Sequence, residues 1–312
     1  MILMPPPKRQ NGAVLILMFV ALVMTALTVF VAAINNSSVG LKESARTREG
    51  LLEAKQRLLA YAMSYSDNFS TAPNGPGRLP CPDTNNDGLM NCGAATLGRL
   101  PTQEILPSGS PFPFSDTDAS EGQQFWYAVT AAYRSNSTPL NTTSASTFTF
   151  NGVSNVVAVI MAPGDALSGQ VRESVAHRNN AANYLENGNQ TGPTFVSSFP
   201  ATPTAFNDVV VAITRDEVMT LATVRVAQEF KRVLDLDPLT LSGYPPNQAT
   251  FLTALPGAAA WVAANGWNAA ALQSYTAISA TVAEVKFNNC NTVFRFEFGV
   301  AGITRTPTTC EG

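Results

Sequence analysis

The chain has 312 residues, 13% of them charged and 45% hydrophobic, and a formal net charge of −3. Charge this sparse and this evenly balanced leaves no basic cluster, so nucleic acid is not an expected partner. Ser, Thr, Asn, Gly and Pro are frequent between runs of strand formers, a composition common in exported domains.

Residues 1–12 read as a short basic leader ending in Lys8-Arg9-Gln10-Asn11-Gly12. Residues 13–34 follow as an apolar stretch interrupted only by Thr25 and Thr28. As a helix this stretch is about 33 Å long, enough to cross the hydrocarbon core of a bilayer. A secretory signal peptide would have a shorter apolar core and a small-x-small cleavage site. A plain single-span anchor fits the length without further assumption.

Residues 35–65 resume a helical pattern. Leu51, Leu52, Leu58, Leu59, Ala62 and Met63 fall on one face, with Lys42, Arg46, Arg48, Glu49, Lys55 and Arg57 around it. Gly40 and Gly50 are expected to weaken the helix, since glycine has the most backbone entropy to lose. The predicted fold class is α+β: a long N-terminal membrane-spanning helix packed on an antiparallel sheet, with short helices and disulfide-stapled loops. Residues 66–312 would form one exported globular domain.

Lys8-Arg9-Gln10-Asn11-Gly12 followed by Ala13-Val14-Leu15-Ile16-Leu17 resembles the leader and mature start of a type IV pilin or a type II secretion pseudopilin. The resemblance implies cleavage after Gly12 by a prepilin peptidase and methylation of Ala13. It also implies a single-pass protein of the bacterial inner membrane, N-terminus cytoplasmic and C-terminal domain periplasmic, with other pilin or pseudopilin subunits as partners. The family's glutamate at the fifth mature position would fall on Leu17. A carboxylate buried in a helix bundle is costly unless a neighbour's charge pairs with it. Members of this family that lack it are associated with the filament tip or with initiation of assembly.

The four cysteines form two close pairs in sequence, Cys81 with Cys92 and Cys290 with Cys310. Three connectivities are possible, of which the local one is simplest. A zinc site is the rival, but no CxxC spacing occurs and His177 is the sole histidine. Disulfides are favoured, each contributing roughly 2–4 kcal/mol, and they place the domain in an oxidising compartment. Basic residues flank the apolar stretch on both sides, Lys8 and Arg9 before it and Lys42, Arg46 and Arg48 after it, so charge alone does not orient the chain.

From Asn74 to Pro107 turn formers dominate and a stapled loop is expected. The stretch contains an internal echo, Gly77-Arg78-Leu79-Pro80 and Gly98-Arg99-Leu100-Pro101. Between the copies, Asp83-Thr84-Asn85-Asn86-Asp87-Gly88 matches the first half of an EF-hand loop, with Asp83, Asn85 and Asp87 as candidate calcium ligands. Position twelve is Ala94, so no closing bidentate carboxylate follows. An Asp/Asn-rich turn held by Asx hydrogen bonds is the equal alternative.

Asp118 to Arg134 predicts a helix with Phe125, Trp126, Val129 and Tyr133 on its apolar side. Val153 to Met161 is a buried strand. Asp165 to Asn207 is irregular, with a short helix at 179–185. Val209 to Ile213 is a second strand and leads into a helix ending near Leu234. There Thr214 and Glu217 form a capping box and Val218, Leu221, Val224, Ala227 and Phe230 line the inner face. The Ala-rich stretch from Pro256 to Tyr275, carrying Trp261 and Trp267, predicts one or two short helices. Val285 to Phe287 and Val293 to Phe298 predict an antiparallel hairpin, with Phe294, Phe296 and Phe298 alternating against Val293, Arg295 and Glu297. Residues 179–186 and 206–217, with the Leu79-Pro80-Cys81-Pro82-Asp83 loop, are also similar to a group of exported pilin-like proteins of Gram-negative bacteria.

No enzyme is expected. There is no Gly-x-Ser-x-Gly elbow, Walker loop, dinucleotide fingerprint or HExxH. His177 reads as a solvated loop residue, and Asp116 with Asp118 and Asp235 with Asp237 read as caps. The expected function is structural: a minor pilin or pseudopilin subunit of a type IV pilus or type II secretion pseudopilus. The alternative is a single-span membrane-anchored periplasmic binding or adhesion domain outside any filament.

Overall fold

The computed structural model of the protein describes residues 24–25, 45–69, 74–106, 109, 111–113, 124–136, 139–197, 205–236, 243–307 and 310. The chain divides into two compact units, Met1–Arg48 and Glu49–Gly312, and the sheets and core belong to the second. Helix α1 spans 45–68. Strands β1 (Leu97–Arg99), β2 (Gln103–Ile105), β3 (Pro111–Pro113), β4 (Trp126–Val129), β5 (Phe148–Phe150) and β6 (Val153–Ala162) follow. Helix α2 (Val175–Arg178), strand β7 (Thr194–Phe195), strand β8 (Val209–Thr214) and helix α3 (Arg215–Leu236) come next. Helices α4 (Gln248–Ala254) and α5 (Ala260–Ala264) precede strands β9 (Leu272–Ser279), β10 (Val282–Phe287), β11 (Val293–Glu297) and β12 (Thr304–Thr306).

The ten-residue β6 organises the first, curled sheet. Along one edge its C-terminal half pairs with β4 and its N-terminal half with β5; along the other it pairs with β8, all antiparallel. Strand β1 extends the sheet beyond β4, and β7 joins β5 in parallel. The β5–β6 turn is Asn151-Gly152, both at positive φ (48° and 79°), the two-residue turn whose twist matches a hairpin. The second sheet is an antiparallel meander in the order β12-β11-β10-β9, and β2 pairs with β3 as a separate ribbon.

One apolar cluster joins both sheets. Leu51, Ala54, Leu58, Ala62 and Tyr65 of α1 meet Val218, Met219, Ala222, Val226 and Phe230 of α3, Tyr127, Val129, Ile160 and Ile213 of the first sheet, and Val285, Phe287, Phe294 and Phe296 of the second. Each such side chain contributes roughly 1.5–3 kcal/mol by leaving water. Lys55 fastens α1 across this cluster, its Nζ donating to Ala212 O (2.9 Å) and pairing with Glu217. Arg225 of α3 pairs with Asp67 near the other end of α1. Helix α3 reaches the second sheet, where Phe230 packs against Phe287 and Lys231 Nζ donates to Glu297 O (3.0 Å). A smaller cluster covers the opposite face of the first sheet: Trp126, Ala128, Phe148, Val156, Val159, Met161, Tyr184, Leu185, Phe195 and Val210.

These findings correct the expected fold class. No helix among the described residues is long and apolar enough to cross a membrane. Helix α1 carries Arg46, Arg48, Glu49, Glu53, Lys55 and Arg57, the charged pattern expected of the amphipathic segment 35–65. The architecture is instead a curled sheet and a second sheet sharing one core under α1 and α3. The placement as a single-pass inner-membrane protein is corrected on the same finding. The leader 1–12, with Gly12, and the stretch 13–34, beginning at Ala13, lie outside the described residues apart from Met24 and Thr25.

Helix α1 continues through Gly50, which is buried, and Gly40 lies outside the described residues. Of the expected apolar face, Leu51, Leu58, Leu59 and Ala62 are buried, while Leu52 is 46% exposed. The helix expected up to Arg134 is strand β4 over Trp126–Val129. All four of its residues are buried, so no polar/apolar alternation marked it as a strand. The capping box forms as expected: Thr214 N donates to Glu217 Oε2 (2.9 Å) and Glu217 N to Thr214 Oγ1 (3.2 Å). The strands at 153–162 and 209–214 also form where expected, as does the Phe294/Phe296 alternation.

Candidate functional site

Segments far apart in sequence meet at the β1 edge of the first sheet: the loop 79–84, strand β1, Trp126 of β4 and the turn at 179–181. The disulfide Cys81–Cys92 closes the loop, with Cα atoms 5.1 Å apart. The second bridge, Cys290–Cys310, ties the turn after β10 to the C-terminal stretch, where Cys310 N donates to Thr220 Oγ1 of α3 (2.7 Å).

Inside the first staple, Asp83 is buried and its carboxylate accepts from Asn85 N (3.1 Å), Asn86 N (2.6 Å) and Gly88 N (2.7 Å). Asp87 accepts from Leu89 N (2.8 Å) and Asn85 Nδ2 (2.9 Å), bonds that hold its carboxyl below the ordinary range. This is the geometry of an Asx-type turn. Both carboxylates are committed to N–H donors within the loop, and no group of three or more His, Cys, Asp or Glu suited to a metal occurs among the described residues.

The Asp83 backbone pairs with Arg99 in both directions, N to O at 2.9 Å and O from N at 2.6 Å. At Gly98 the backbone lies so close to Asp83 O that any Cβ would collide with it. The Arg99 side chain, 5% exposed, is sandwiched between the rings of Trp126 (4.1 Å) and Tyr184 (4.2 Å). Its two terminal nitrogens donate to Gln124 O (2.8 Å) and Arg178 O (2.9 Å). Burial pushes this guanidinium down to about 10. Two π faces and two main-chain carbonyls stand in for a carboxylate partner, a desolvated cation–π arrangement.

Beside Arg99 opens a cleft of ≈ 140 Å³, lined by Asp83, Thr84, Leu97, Trp126, Asn179 and Ala181 among others. The staple loop forms one wall and the turn at 179–181 the other. That turn is built by local caps: Ser174 Oγ accepts from His177 N at the start of α2, and Asn180 Oδ1 accepts from Ala182 N (3.1 Å) at the 3₁₀ turn Ala181–Asn183. Behind it, Arg172 also lies over the Tyr184 ring (4.7 Å) and donates to Asn183 O, Gly164 O and Gln170 Oε1. Asn189, fully buried, exchanges bonds with Val196 N and O and donates to Asp208 Oδ2 (2.9 Å).

The expected site residues are placed as follows. The four cysteines form the two local bridges. Asp83 reaches the cleft through its backbone and wall position. His177 is half-buried in α2. Arg99, Tyr184, Glu186 and Asp208 were not foreseen as a group. The internal echo was the available signal, since both of its arginines are sealed in the interior. Arg78 is 0% exposed and donates to Asn265 Oδ1 (2.9 Å) and Arg134 O (3.3 Å).

Fold and site together define a disulfide-stapled, two-sheet domain with a small cleft at one sheet edge. No protein-family model, curated protein or solved structure matches the chain.

Proposed function

We propose that this protein is a non-catalytic structural or assembly subunit of a type IV pilus or type II secretion pseudopilus, a minor component whose partners are other pilin or pseudopilin subunits. One observation favours the reading. Helix α1 lays its apolar face, Leu51, Ala54, Leu58, Ala62 and Tyr65, into the core shared by the two sheets. It is fixed there by Lys55 and Asp67 at two points along its length. Such a helix transmits load from one end of the chain into a disulfide-stapled domain, which is what a filament subunit requires. Leu17, in place of the family's glutamate, suits a subunit at a terminus of the filament.

The test is mass spectrometry of the mature N-terminus after coexpression with a prepilin peptidase. The expected product starts at a methylated Ala13. An intact Met1 under conditions in which a control prepilin is fully processed overturns the proposal.

A further inference from the structure

The outer edge of β1 is left unfinished at the cleft. Thr96 O accepts from Val129 N (2.9 Å) and Leu100 N donates to Phe125 O (2.8 Å), so the even-numbered residues of this stretch turn their main chain toward β4. In an antiparallel ladder the odd-numbered residues then face the other way. Arg99 spends that outward face on Asp83, which stands as a single-residue extension of the sheet. Leu97 faces the same edge, and among the described residues no other segment bonds to its outward N–H and C=O. The staple loop has turned away by then, because Asn85 N and Asn86 N fold back onto the Asp83 carboxylate. Leu97, Asp83, Thr84 and Arg99 all line the cleft.

The cleft is also short of negative charge. Arg99 makes no ion pair among the described residues, and the Asp83 carboxylate beside it is taken up by three N–H donors of its own loop. Arg99 Nε and Trp126 Nε1 are buried donors without a hydrogen-bond partner, both on residues that line the cleft. We propose that the cleft takes the C-terminal residue of an extended peptide, which adds to the β1 edge at Leu97 and brings its carboxylate to Arg99.

A chain end is favoured because Asp83 already fills the strand position opposite Arg99, so an added strand stops there. Of the two chain ends, the carboxylate is the one that complements an unpaired guanidinium. The peptide therefore runs parallel to β1, from Leu97 toward Arg99. Leu97 O accepts from the N–H of the terminal residue, and Leu97 N donates to the carbonyl two residues before it, the slanted pattern of a parallel pair. A volume of ≈ 140 Å³ suits one small residue, with the rest of the peptide lying along the open edge. The filament reading does not use this site, and the site does not rest on that reading.

Titration of the full chain with N-acetyl-trialanine, followed by amide NMR, tests this. Saturable shifts are expected at residues 84, 95–99 and 179–181, with none in the second sheet. The same peptide with an amidated C-terminus should bind roughly tenfold more weakly or worse, and so should the acid N-methylated at its last residue. Leu97→Pro removes only an N–H that lies outside the sheet ladder, a change tolerated on an edge strand, and should weaken the acid similarly. Absence of saturable shifts at those residues up to about 10 mM peptide overturns the proposal, as does equal binding of acid and amide, whether or not the variant folds. Sodium acetate that shifts the same amides with equal affinity would make this a site for free small anions and overturn it. Shifts of those amides with protein concentration alone would make a second copy the occupant and overturn it too.

Discussion

The two faces of the first sheet are covered by opposite means. On one, α1 and α3 present apolar side chains and satisfy their own backbone polar groups, so burial does most of the holding, with Lys55 and Arg225 adding polar ties. On the other lies an excursion with little regular structure, whose backbone must find partners among side chains. Arg99, Arg172, Glu186, Asn189 and Asp208 supply them, bonding to main-chain groups of Gln124, Arg178, Gly164, Asn183, Glu186, Val196, Asn207 and Asp208. The first face is stabilised by area and the second by hydrogen-bond satisfaction. Their failures should differ accordingly: global on the helix side, local on the loop side.

Phe230→Ala should break the helix side outright. Phe230 is fully buried between Phe251 and Phe287, and its truncation should cost about 3–5 kcal/mol in urea unfolding. Loss of protection in both sheets together would accompany it; a loss confined to α3 would contradict a single shared core.

A polar exception on the helix side sharpens the contrast. Glu104 of β2 is 4% exposed, and burial pushes its carboxyl up from 4.5 to about 7. The folded state thus keeps a proton that the unfolded chain releases near 4.5. Stability should be greatest below that value and decline by about 2–3 kcal/mol as the pH rises to neutrality. Glu104→Gln should remove this part of the dependence. Thermal unfolding across that range measures it, and an unchanged slope in the variant would exclude Glu104 as the source.

Asn189→Ala should produce a smaller effect of about 1–3 kcal/mol, because it leaves Val196 N and O and one Asp208 contact without their partner. Hydrogen exchange should show that loss over 181–197 while the second sheet stays protected. Equal loss in both regions would mean that the loop-covered face is part of the same cooperative core.

Much of the helix-covered architecture was legible beforehand because its signals are local. The Thr214/Glu217 box, the β-branched run of β6, the Phe294/Phe296 alternation and the close spacing of each cysteine pair all depend on near neighbours. Strand β4 was misread because Phe125, Trp126, Val129 and Tyr133 satisfy a helical period as well as a strand buried on both faces does. Helix α1 carries the charged, amphipathic pattern expected of 35–65, while the sheets that its apolar face meets were not legible. Of the site, the loop containing Asp83 and the turn at 179–186 were noticed separately, while their meeting at Arg99 was not visible.

The sequence by itself favoured the local pairing of the cysteines and determined the Thr214/Glu217 cap and the apolar faces of α1, α3 and β11, because residues a few positions apart decide each of these. Only the tertiary structure decided that Arg99 would lie between Trp126 and Tyr184 and that Glu186 would close on Asp208. Those contacts bring together residues from three distant segments. Their stability comes from a desolvated environment that exists only once the whole sheet has closed.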